Sequence, residues 1–354
     1  MRAKFLGSGI AAGEFVVDNP RISRIMDTSD EWIRERTGIE RRCFVRPGTA
    51  SSDLGIQAGK AAIEDAGLKP GDIDYVVCAT QTPDHYFPGA GTMIQHGIGI
   101  PTVGALDVRQ QCAGFAYGMQ VTDALIRSGV AKRVLLVGTD IHTAFMPFSE
   151  ASWDVLYSDD DVKLEIEEDF VFNSQFRHLL VLFGDAAGAF VFGASDDEDV
   201  GILGSELHGD GEYAKTLHVP GVGSRYRPMV SQEMVDQATW VPTMDGRATF
   251  RFAVTKMPEV TRSLVDTCGL SLDDVDLLIM HQANLRINEA CQKALGLPDE
   301  KVFNNIHDYG NTTSATLPLC FHEARQAGKV KEGDLVAFAA LGAGLHWGSV
   351  LMRM

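Results

Sequence analysis

One cysteine, Cys112, stands at the junction between two elements that the sequence predicts. Residues 103–108 are short and mainly apolar, which is typical of a buried strand, whereas Phe115 and Met119 recur at helical spacing after the cysteine. A thiol at the start of a helix faces unpaired backbone N–H groups and the positive end of the helix dipole, and both favour the thiolate. Cys112 is therefore a candidate nucleophile, although a cysteine considered alone is more often a buried, inert residue.

An internal repeat indicates how the rest of the chain positions this cysteine. Residues 67–79 (GLKPGDIDYVVCA) and 269–281 (GLSLDDVDLLIMH) match at a constant offset of 202 positions. Each segment follows a predicted helix, Ser51–Ala66 or Thr255–Cys268, and each runs into an apolar strand. Two similar α/β halves are therefore expected, each a sheet with helices on its faces.

A second correspondence places polar residues in equivalent loops. Cys112 precedes Gly129 by 17 positions, and Asn311 precedes Gly328 by 17 positions. If the halves pack about a pseudo-twofold axis, Cys112 and Asn311 face each other from the starts of paired helices. His281, at the end of the second repeated strand, is expected beside them. The predicted halves are residues 1–193, with the cysteine, and residues 194–354, with the histidine and the asparagine.

The composition is that of an ordinary soluble globular protein, with 45% apolar and 22% charged residues. The first ten residues lack the long apolar core of a signal peptide, and no apolar run approaches the length of a membrane span. The expected location is the cytoplasm. The six cysteines are scattered without a C-x-x-C pair, so neither a disulfide framework nor a metal site is indicated.

The formal net charge of −17 is concentrated in two segments. Residues 150–169 hold nine acids and one lysine, and residues 196–199 add four acids, which together account for −12 of the total. Attraction to nucleic acid is not expected. The rest of the surface is only mildly acidic and leaves room for a local basic patch.

Two further stretches carry aromatic residues in suggestive positions. Residues 27–38 predict a short capped helix with Trp32 and Arg36 on one face, where an indole and a guanidinium could hold a base and a phosphate. An amphipathic surface helix is the alternative. Residues 143–178 form an insertion with aromatics on both sides of the acidic run, and the sequence leaves open whether it is a lid, a tunnel wall or a surface excursion.

These motifs together resemble the β-ketoacyl-acyl-carrier-protein synthase III family of the thiolase superfamily. The resemblance spans nearly the whole chain, and its motifs occur in order at compatible spacing. They are residues 27–38 (DTSDEWIRERTG), 111–115 (QCAGF), 183–188 (FGDAAG), 281–287 (HQANLRI), 310–315 (GNTTSA) and 341–348 (LGAGLHWG).

The resemblance implies a fold and an activity. The fold would be a five-layered αβαβα thiolase arrangement that works as a homodimer. The activity would be an acyltransferase reaction, in which an acyl primer from acyl-CoA is joined to malonyl-acyl carrier protein with loss of carbon dioxide. The reaction proceeds through an acyl-cysteine and supplies fatty acid or related biosynthesis. No metal or cofactor is implied beyond the CoA and phosphopantetheine arms of the substrates.

The resemblance also assigns residues to roles. Cys112, His281 and Asn311 would form the catalytic triad, and the backbone N–H groups of Cys112 and Ala343 would form the oxyanion hole. Phe87 would cross the dimer and close the partner's acyl tunnel. The remaining implied residues bind substrates: Trp32, Arg36, Phe250 and Asn284 along the CoA and pantetheine arm, and Arg251, Arg286 and Lys293 where the carrier protein docks.

The chain departs from the family pattern at two places. The stretch between Asp140 and Phe183 is some twenty residues longer than in typical members, and none of its positions is matched to the arginine that partners Trp32 on adenine. Ala343 stands where many relatives have glycine, which matters only if the loop requires a positive φ angle. The long aromatic insertion leads us to expect a primer longer than acetyl, or an acceptor from specialised metabolism.

Three alternatives remain open from the sequence. A related enzyme of specialised metabolism could join longer acyl chains, or transfer acyl groups to oxygen or nitrogen without releasing carbon dioxide. A non-catalytic scaffold for carrier protein would not need Cys112, His281 and Asn311. A nicotinamide oxidoreductase would need a glycine fingerprint that the chain lacks.

Overall fold

The computed structural model describes all 354 residues, which form fourteen strands and thirteen helices. The strands are β1 (Arg2–Ala12), β2 (Phe15–Asp18), β3 (Arg41–Phe44), β4 (Tyr75–Ala79), β5 (Gly104–Val108), β6 (Arg133–Asp140), β7 (Ala186–Ser195), β8 (Gly201–Gly209), β9 (Leu217–His218), β10 (Thr243–Met244), β11 (Leu277–Met280), β12 (Val302–Phe303), β13 (Leu335–Gly342) and β14 (His346–Arg353). The helices are α1 (Asn19–Ile22), α2 (Asp30–Thr37), α3 (Ser51–Asp65), α4 (Ala90–Ile98), α5 (Gly114–Arg127), α6 (Glu150–Tyr157), α7 (Glu167–Gln175), α8 (Arg177–Leu180), α9 (Gln232–Asp236), α10 (Gly246–Thr267), α11 (Leu285–Leu295), α12 (Ile306–Tyr309) and α13 (Thr316–Gln326). No helix combines the length and apolar character needed to cross a membrane.

Two five-stranded sheets have the same strand order and directions. The first runs β1-β7-β6-β4-β5 and the second runs β8-β14-β13-β11-β12. In each sheet the first three strands are antiparallel neighbours and the last three are parallel neighbours. Helices α5 and α13 lie between the sheets, and α3 with α4 or α10 with α11 cover the outer faces. The expected five-layered αβαβα arrangement is confirmed.

The predicted 202-residue repeat is visible in the strand register. Tyr75 pairs with Val134 between β4 and β6, and Leu277 pairs with Val336 between β11 and β13. Each residue of the second pair lies 202 positions after its counterpart in the first pair. The turn before each strand repeats as well. The side chain of Asp74 accepts the backbone N–H of Arg133, and that of Asp276 accepts the backbone N–H of Leu335.

The second predicted correspondence is displaced by three residues. The structural counterpart of Cys112 is Ser314, because each occupies the middle of a one-turn 3₁₀ helix that leads into α5 or α13. The preceding residues, Gln111 and Thr313, both have positive φ angles, of 48° and 53°, and they also differ by 202 positions. Helix α13 ends three positions earlier than the 202-residue offset predicts. Counting back 17 positions from the glycine that follows the helix therefore reaches Asn311 and not Ser314.

The core between the sheets contains a cluster of five phenylalanines. Phe190 of β7 makes edge-on contacts with Phe5, Phe115, Phe321 and Phe338, at centroid distances of 4.9 to 6.4 Å. Burial of a phenyl ring contributes roughly 1.5–3 kcal/mol, and each edge-to-face pair adds about 0.5–1.5 kcal/mol. Because Phe115 is on α5 and Phe321 is on α13, the cluster fixes both central helices against both sheets.

The helix predicted at Thr255–Cys268 is longer than expected. Helix α10 begins at Gly246, nine residues before the predicted start, because the Asp245 side chain accepts the backbone N–H groups of Arg247 and Ala248. The N-terminal segment forms one long strand, β1. Its glycines allow α3 to lie close, since a Cβ atom at Gly9 would be 2.4 Å from the carbonyl oxygen of Ala58.

The insertion at residues 143–178 is a packed unit. Trp153 of α6 stacks on Tyr157 and meets Phe44 edge-on, and the Tyr157 hydroxyl donates to the carbonyl of Val45 at 2.7 Å. Its acidic loop is held by arginines of the N-terminal region, with Arg21 2.8 Å from Asp159. Only the two ends of the insertion reach cavities next to Cys112, at residues 142–145 and at 178.

Candidate active site

Two cavities meet at Cys112. The entrance cavity, of about 660 Å³, has Trp32 and Arg36 among its lining residues and also contacts His281 and Asn311. The inner cavity, of about 410 Å³, is lined by residues of the segments 81, 109–112, 142–145, 214–222, 242 and 343–346. Only Cys112, Phe183 and Leu217 line both cavities. The sulfur therefore lies at the junction of the two cavities.

Cys112 is buried, with 6% of its surface exposed. Burial, together with the charge of Asp140, raises the pKa of the Cys112 thiol to about 12, and the N–H group of its own backbone opposes this only in part. The expected thiolate is therefore wrong for the resting protein. The helix start offers N–H groups to a developing negative charge, but removal of water from the sulfur is the larger effect.

His281 follows directly after β11 and is held by two hydrogen bonds. Its backbone N–H donates to the carbonyl of Ala339 at 2.8 Å, and its Nδ1 lies 2.7 Å from the hydroxyl oxygen of Thr316. Burial lowers the pKa of the His281 imidazole to about 3, because the charged form loses its hydration. The imidazole is therefore neutral at physiological pH and has one N–H to donate.

Asn311 is fixed in the orientation that leaves its amide nitrogen free. Its backbone forms an isolated bridge to Phe183, with the Asn311 N–H donating to the carbonyl of Leu182 at 2.8 Å. The N–H of Thr313 donates to Oδ1 of Asn311 at 2.9 Å. Since Oδ1 is engaged and the side chain lines the entrance cavity, the amide NH₂ group is the part available to a substrate.

A buried carboxylate, Asp140, holds this turn in place. One oxygen accepts the hydroxyl groups of Thr80 and Thr82, and the other accepts the hydroxyl groups of Thr313 and Ser314. Three more hydrogen bonds come from the backbone N–H groups of Gln81, Thr82 and Ser314, so the charge is well compensated. Asp140 thus links the end of β6 in the first half to the Asn311 turn of the second half.

The turn between β13 and β14 brings Ala343 to the cysteine. A Cβ atom on the neighbouring Gly342 would be 3.1 Å from the backbone nitrogen of Cys112, so the two backbone segments are in close contact. Ala343 lines the inner cavity with Cys112, and the positive φ angle of this turn belongs to Gly344, at 141°. The alanine therefore meets no conformational penalty, and its N–H remains available.

The predicted substrate-binding residues lie around the entrance cavity. Trp32 and Arg36 are on α2, where the Arg36 guanidinium lies 4.6 Å from the centroid of the Trp32 ring. Phe250 of α10 and Asn284 line the same cavity. The Asn284 side chain already caps α11 through the N–H of Arg286 and donates to the carbonyl of Arg36 at 2.8 Å. Its first role is thus to fix α2 against α11.

An arginine that the sequence did not reveal completes the mouth of this cavity. The guanidinium of Arg177, from the insertion, lies 5.0 Å from the centroid of the Trp32 ring. The side chain also donates to the carbonyl of Asp27 at 2.6 Å. No local pattern marks Arg177, because the insertion shifts its position relative to the family motifs and only the fold brings it to Trp32.

The predicted docking residues form part of a basic rim. Arg251 and Arg286 line one surface depression beside the entrance cavity, and Arg247 lines both the depression and the cavity. Lys293 is exposed on α11, seven residues or about two helical turns beyond Arg286. Sequence analysis missed Arg247, although its i, i+4 spacing from Arg251 on a helix could have indicated it.

Phe87 is the one predicted site residue that lies apart from the others. Its side chain is 82% exposed, and it lines neither cavity of its own chain. Its neighbour Tyr86 is 65% exposed. The structure contains no group of three or more His, Cys, Asp or Glu side chains that could hold a metal ion.

The fold, together with a buried cysteine that shares a cavity with a neutral imidazole and a free amide, is typical of the thiolase-fold acyltransferases. Comparison with known proteins agrees. Models of the 3-oxoacyl-[acyl-carrier-protein] synthase III family match residues 106–160, 168–211 and, for its C-terminal part, 265–354. The unmatched residues 161–167 fall in the insertion.

Full-length relatives support the same assignment. The chain is 41% identical to β-ketoacyl-[acyl-carrier-protein] synthase III of Paracoccus denitrificans over 99% of each chain. It is 39% identical to the corresponding protein of Cereibacter sphaeroides over 100% of this chain and 99% of that one. The crystal structure of the Aquifex aeolicus synthase III superposes with a TM-score of 0.83 at 35% identity, over 99% of this chain and 100% of the other. The chain belongs to the β-ketoacyl-[acyl-carrier-protein] synthase III family, which confirms the family, the fold and the acyltransferase class expected from the sequence.

Proposed function

We propose that this protein condenses an acyl primer with malonyl-acyl carrier protein, using Cys112, His281 and Asn311. The observation that supports this most is the convergence of these three side chains on one cavity, from three different segments of the chain. An acyl-transferring relative that uses oxygen or nitrogen acceptors would have no need for two N–H donors beside the acyl-cysteine.

The first half-reaction loads the primer. The Cys112 sulfur attacks the carbonyl carbon of acyl-CoA, and its proton passes to the CoA sulfur as that sulfur leaves, because His281 carries its own hydrogen on the nitrogen that faces the substrate. A new carbon–sulfur bond forms, the bond to the CoA sulfur breaks, and the CoA thiolate takes the proton. The N–H groups of Cys112 and Ala343 stabilise the tetrahedral oxyanion between these events.

The second half-reaction extends the chain. The bond between the malonyl carboxylate and its methylene carbon breaks, carbon dioxide leaves, and the electron pair forms an enolate on the carrier-protein thioester. Nε2–H of His281 and the amide of Asn311 donate to the enolate oxygen. The enolate carbon then attacks the acyl-Cys112 carbonyl, the sulfur leaves, and one proton is taken up as the thiol re-forms.

The donor role of His281 assigns the hydrogen bond at Thr316. The Thr316 hydroxyl lies 2.7 Å from Nδ1 of His281 and 3.0 Å from the carbonyl of Thr313, and it has one proton for the two acceptors. When it donates to Nδ1, the shorter contact, the ring keeps its own hydrogen on Nε2, which faces the substrate. Thr316 is thus a positioning residue that sets the tautomer.

The substrate arms have matching surfaces. The entrance cavity would hold the pantetheine arm, with Phe250 and Asn284 along it and the CoA nucleotide at Trp32, Arg36 and Arg177. The rim residues Arg251, Arg286, Arg247 and Lys293 form no ion pair within the chain and would receive an acidic carrier protein. The inner cavity exceeds the size of an acetyl group, which supports a longer primer.

The proposal is tested by intact-mass spectrometry and carbon dioxide release. The purified protein is exposed to acetyl-, hexanoyl- and octanoyl-CoA, and the acyl adduct is mapped to Cys112. Malonyl-acyl carrier protein is then added. We expect an adduct and release of one carbon dioxide per β-ketoacyl product. Acyl transfer to an oxygen or nitrogen acceptor without carbon dioxide would contradict the function, and much faster loading of acetyl than of octanoyl would contradict only the longer primer.

Replacement of Arg177 by alanine should weaken binding of acyl-CoA. Loss of a cation–π partner costs about 0.5–2 kcal/mol, so we expect KM for acyl-CoA in Cys112 acylation to rise by about 2- to 30-fold. The matched control is Arg21→Ala, which also removes an arginine bound to the insertion but lies away from Trp32. Acyl-pantetheine lacks the nucleotide and should be used equally well by both variants. An equal loss with acyl-pantetheine would show that Arg177 acts only by holding the insertion.

We also propose a homodimer located in the cytoplasm, with Phe87 reaching the partner's inner cavity. Strand β5 is an edge strand whose outer side has no partner, and Gly104, Ala105 and Leu106 are exposed along it. An unpaired edge with exposed uncharged residues is a template for pairing with a second strand.

Replacement of Leu106 by lysine should therefore produce a monomer. We expect sedimentation equilibrium to give about half the wild-type mass, because a charge at each copy of the edge opposes pairing. The control is Val162→Lys, which places the same charge on an exposed residue of the insertion. A variant that remains dimeric with β5 carrying lysine would place the dimer contact elsewhere.

A further inference from the structure

The inner cavity, on the far side of Cys112 from the entrance, has a polar lining. Seven of its sixteen lining residues carry hydrogen-bonding or thiol side chains. A cavity built only for a saturated acyl chain would be lined by apolar side chains. These seven are Gln81, Arg109, Gln111, Cys112, His142, His218 and His346. The other nine are Phe145, Phe183, Ala214, Leu217, Val219, Val222, Pro242, Ala343 and Gly344.

His142 is the most deeply placed of these residues. It is 5% exposed, and its ring stacks on Phe183 with a centroid distance of 3.5 Å and an interplanar angle of 4°. Its Nδ1 is buried without a hydrogen-bond partner, and so is Nδ1 of His346 in the same wall. Because both Nδ1 atoms are covered by the protein, a group that enters the cavity meets these rings at Nε2, which has no hydrogen-bond partner in either residue.

The wall also carries one positive charge and no negative charge. Arg109 is exposed to the cavity and forms no ion pair, and none of the sixteen lining residues is Asp or Glu. The acids close to the wall are already bound. Asp107, two residues before Arg109, accepts the backbone N–H groups of Ala90 and Gly91. Asp140 accepts the backbone N–H of Gln81, and Asp185 accepts both the N–H and the hydroxyl of Thr143. In a protein with a net charge of −17, a cationic side chain that forms no ion pair is available to an anion.

The amide side chains of Gln81 and Gln111 extend this set. Neither side chain has a hydrogen-bond partner within the chain, and Gln111 is held next to the nucleophile by a φ angle of 48°. An alkyl primer would bury these amides and the two imidazoles without partners. A site built this way discriminates against a ligand that lacks the matching polar group.

We propose that the acyl group loaded on Cys112 ends in a carboxylate, so that the primer is the monothioester of a short dicarboxylic acid, held by Arg109, His142 and the glutamine amides. This inference rests on the proposed function and names its substrate class. The thioester carbonyl stays at the N–H groups of Cys112 and Ala343, and the carboxylate occupies the inner cavity. Arg109, three residues before the nucleophile, supplies the charge.

The test compares three primers of matched length in Cys112 acylation, followed by intact mass. They are glutaryl-CoA, valeryl-CoA with the same number of carbons and no carboxylate, and the methyl ester of glutaryl-CoA with a polar but uncharged end. We expect kcat/KM for glutaryl-CoA to exceed that for valeryl-CoA by about 10-fold or more, since hydrogen bonds to charged groups are the stronger ones. The methyl ester should have a kcat/KM close to that of valeryl-CoA.

Two variants and one control separate recognition from folding. Arg109→Gln and His142→Leu should each lower the ratio of glutaryl to valeryl acylation by about 10-fold. Arg46→Gln, which removes an arginine from a separate surface groove, should leave that ratio unchanged. Because the readout is a ratio within one variant, a partial loss of folded protein does not alter it.

The outcomes distinguish the two proposals. If no acyl-CoA forms an adduct on Cys112, the proposed function fails. If adducts form but valeryl-CoA matches or exceeds glutaryl-CoA, only the carboxylate assignment is overturned. The same holds if the methyl ester is loaded as fast as glutaryl-CoA, because recognition would then be polar without being ionic.

Discussion

Replacement of Cys112 by alanine should abolish condensation and leave decarboxylation of malonyl-acyl carrier protein intact. The sulfur forms the covalent bond of the first half-reaction, so its loss removes the acyl-enzyme, and condensation should fall below about 0.1% of the wild-type rate. The two enolate donors, His281 and Asn311, remain on their own segments of the chain. The measurements are the mass of the loaded protein, β-ketoacyl product and carbon dioxide released from malonyl-acyl carrier protein.

A second cysteine supplies the control. Cys268 is partly exposed at the end of α10 and lines neither cavity. Cys268→Ser should form the acyl adduct at the wild-type rate. If Cys112→Ala still formed a covalent acyl adduct, another side chain would be the nucleophile and the proposed mechanism would be wrong.

The protonation states of Cys112 and His281 explain how the thiol reacts. With the Cys112 pKa raised to about 12 and the His281 pKa lowered to about 3, thiol and imidazole are both neutral before substrate arrives. An ion pair would need to be desolvated in this buried site, whereas a neutral pair does not. The proton therefore moves during attack, when the oxyanion N–H groups offset the charge that forms.

The sequence predicted the scaffold because repetition and hydrophobic patterning are local. The matching turns that end in Asp74 and Asp276 are encoded within thirteen residues, and the strands that follow are apolar throughout. It did not predict that Ser314 is the counterpart of Cys112, since helix α13 is shorter than α5 and the loop after it is longer. The distance from a residue to the glycine after its helix depends on the length of that helix. The pairing of the strands shows which residues of the two halves are structurally equivalent.

The sequence also could not supply contacts between distant segments. Arg177 and Trp32 are 145 positions apart in the sequence, and the insertion removes the alignment that would connect them. The prediction of a thiolate at Cys112 was wrong for a related reason. A helix start can be predicted from a short stretch, but the desolvation that raises the thiol pKa is produced by residues from both halves. His142 gave no local signal because a histidine at the end of a buried strand is most often a satisfied core residue.

Replacement of Asn311 should impair the second half-reaction while sparing the first. Removal of one preorganised donor to an oxyanion costs about 2.7–4 kcal/mol, so Asn311→Ala should lower kcat for condensation by about 10²- to 10³-fold. Asn311→Asp should lose at least as much. The N–H of Thr313 would still bind one carboxylate oxygen, and the other oxygen would place a negative charge where the enolate develops.

Loading of Cys112 by acyl-CoA involves no enolate, and its rate should change by no more than about 3-fold in both variants, within the range of indirect packing effects. The control is Asn305→Ala, which removes another buried amide, one that donates to Glu323 at 2.8 Å and lines neither cavity. Asn305→Ala should lower the unfolding temperature without a selective loss of condensation. Equal losses in loading and condensation for Asn311→Ala would mean that Asn311 holds the turn built on Asp140 and does not contact the enolate. A loss confined to condensation, and greater for aspartate than for alanine, is the result that only a donor at the enolate oxygen produces.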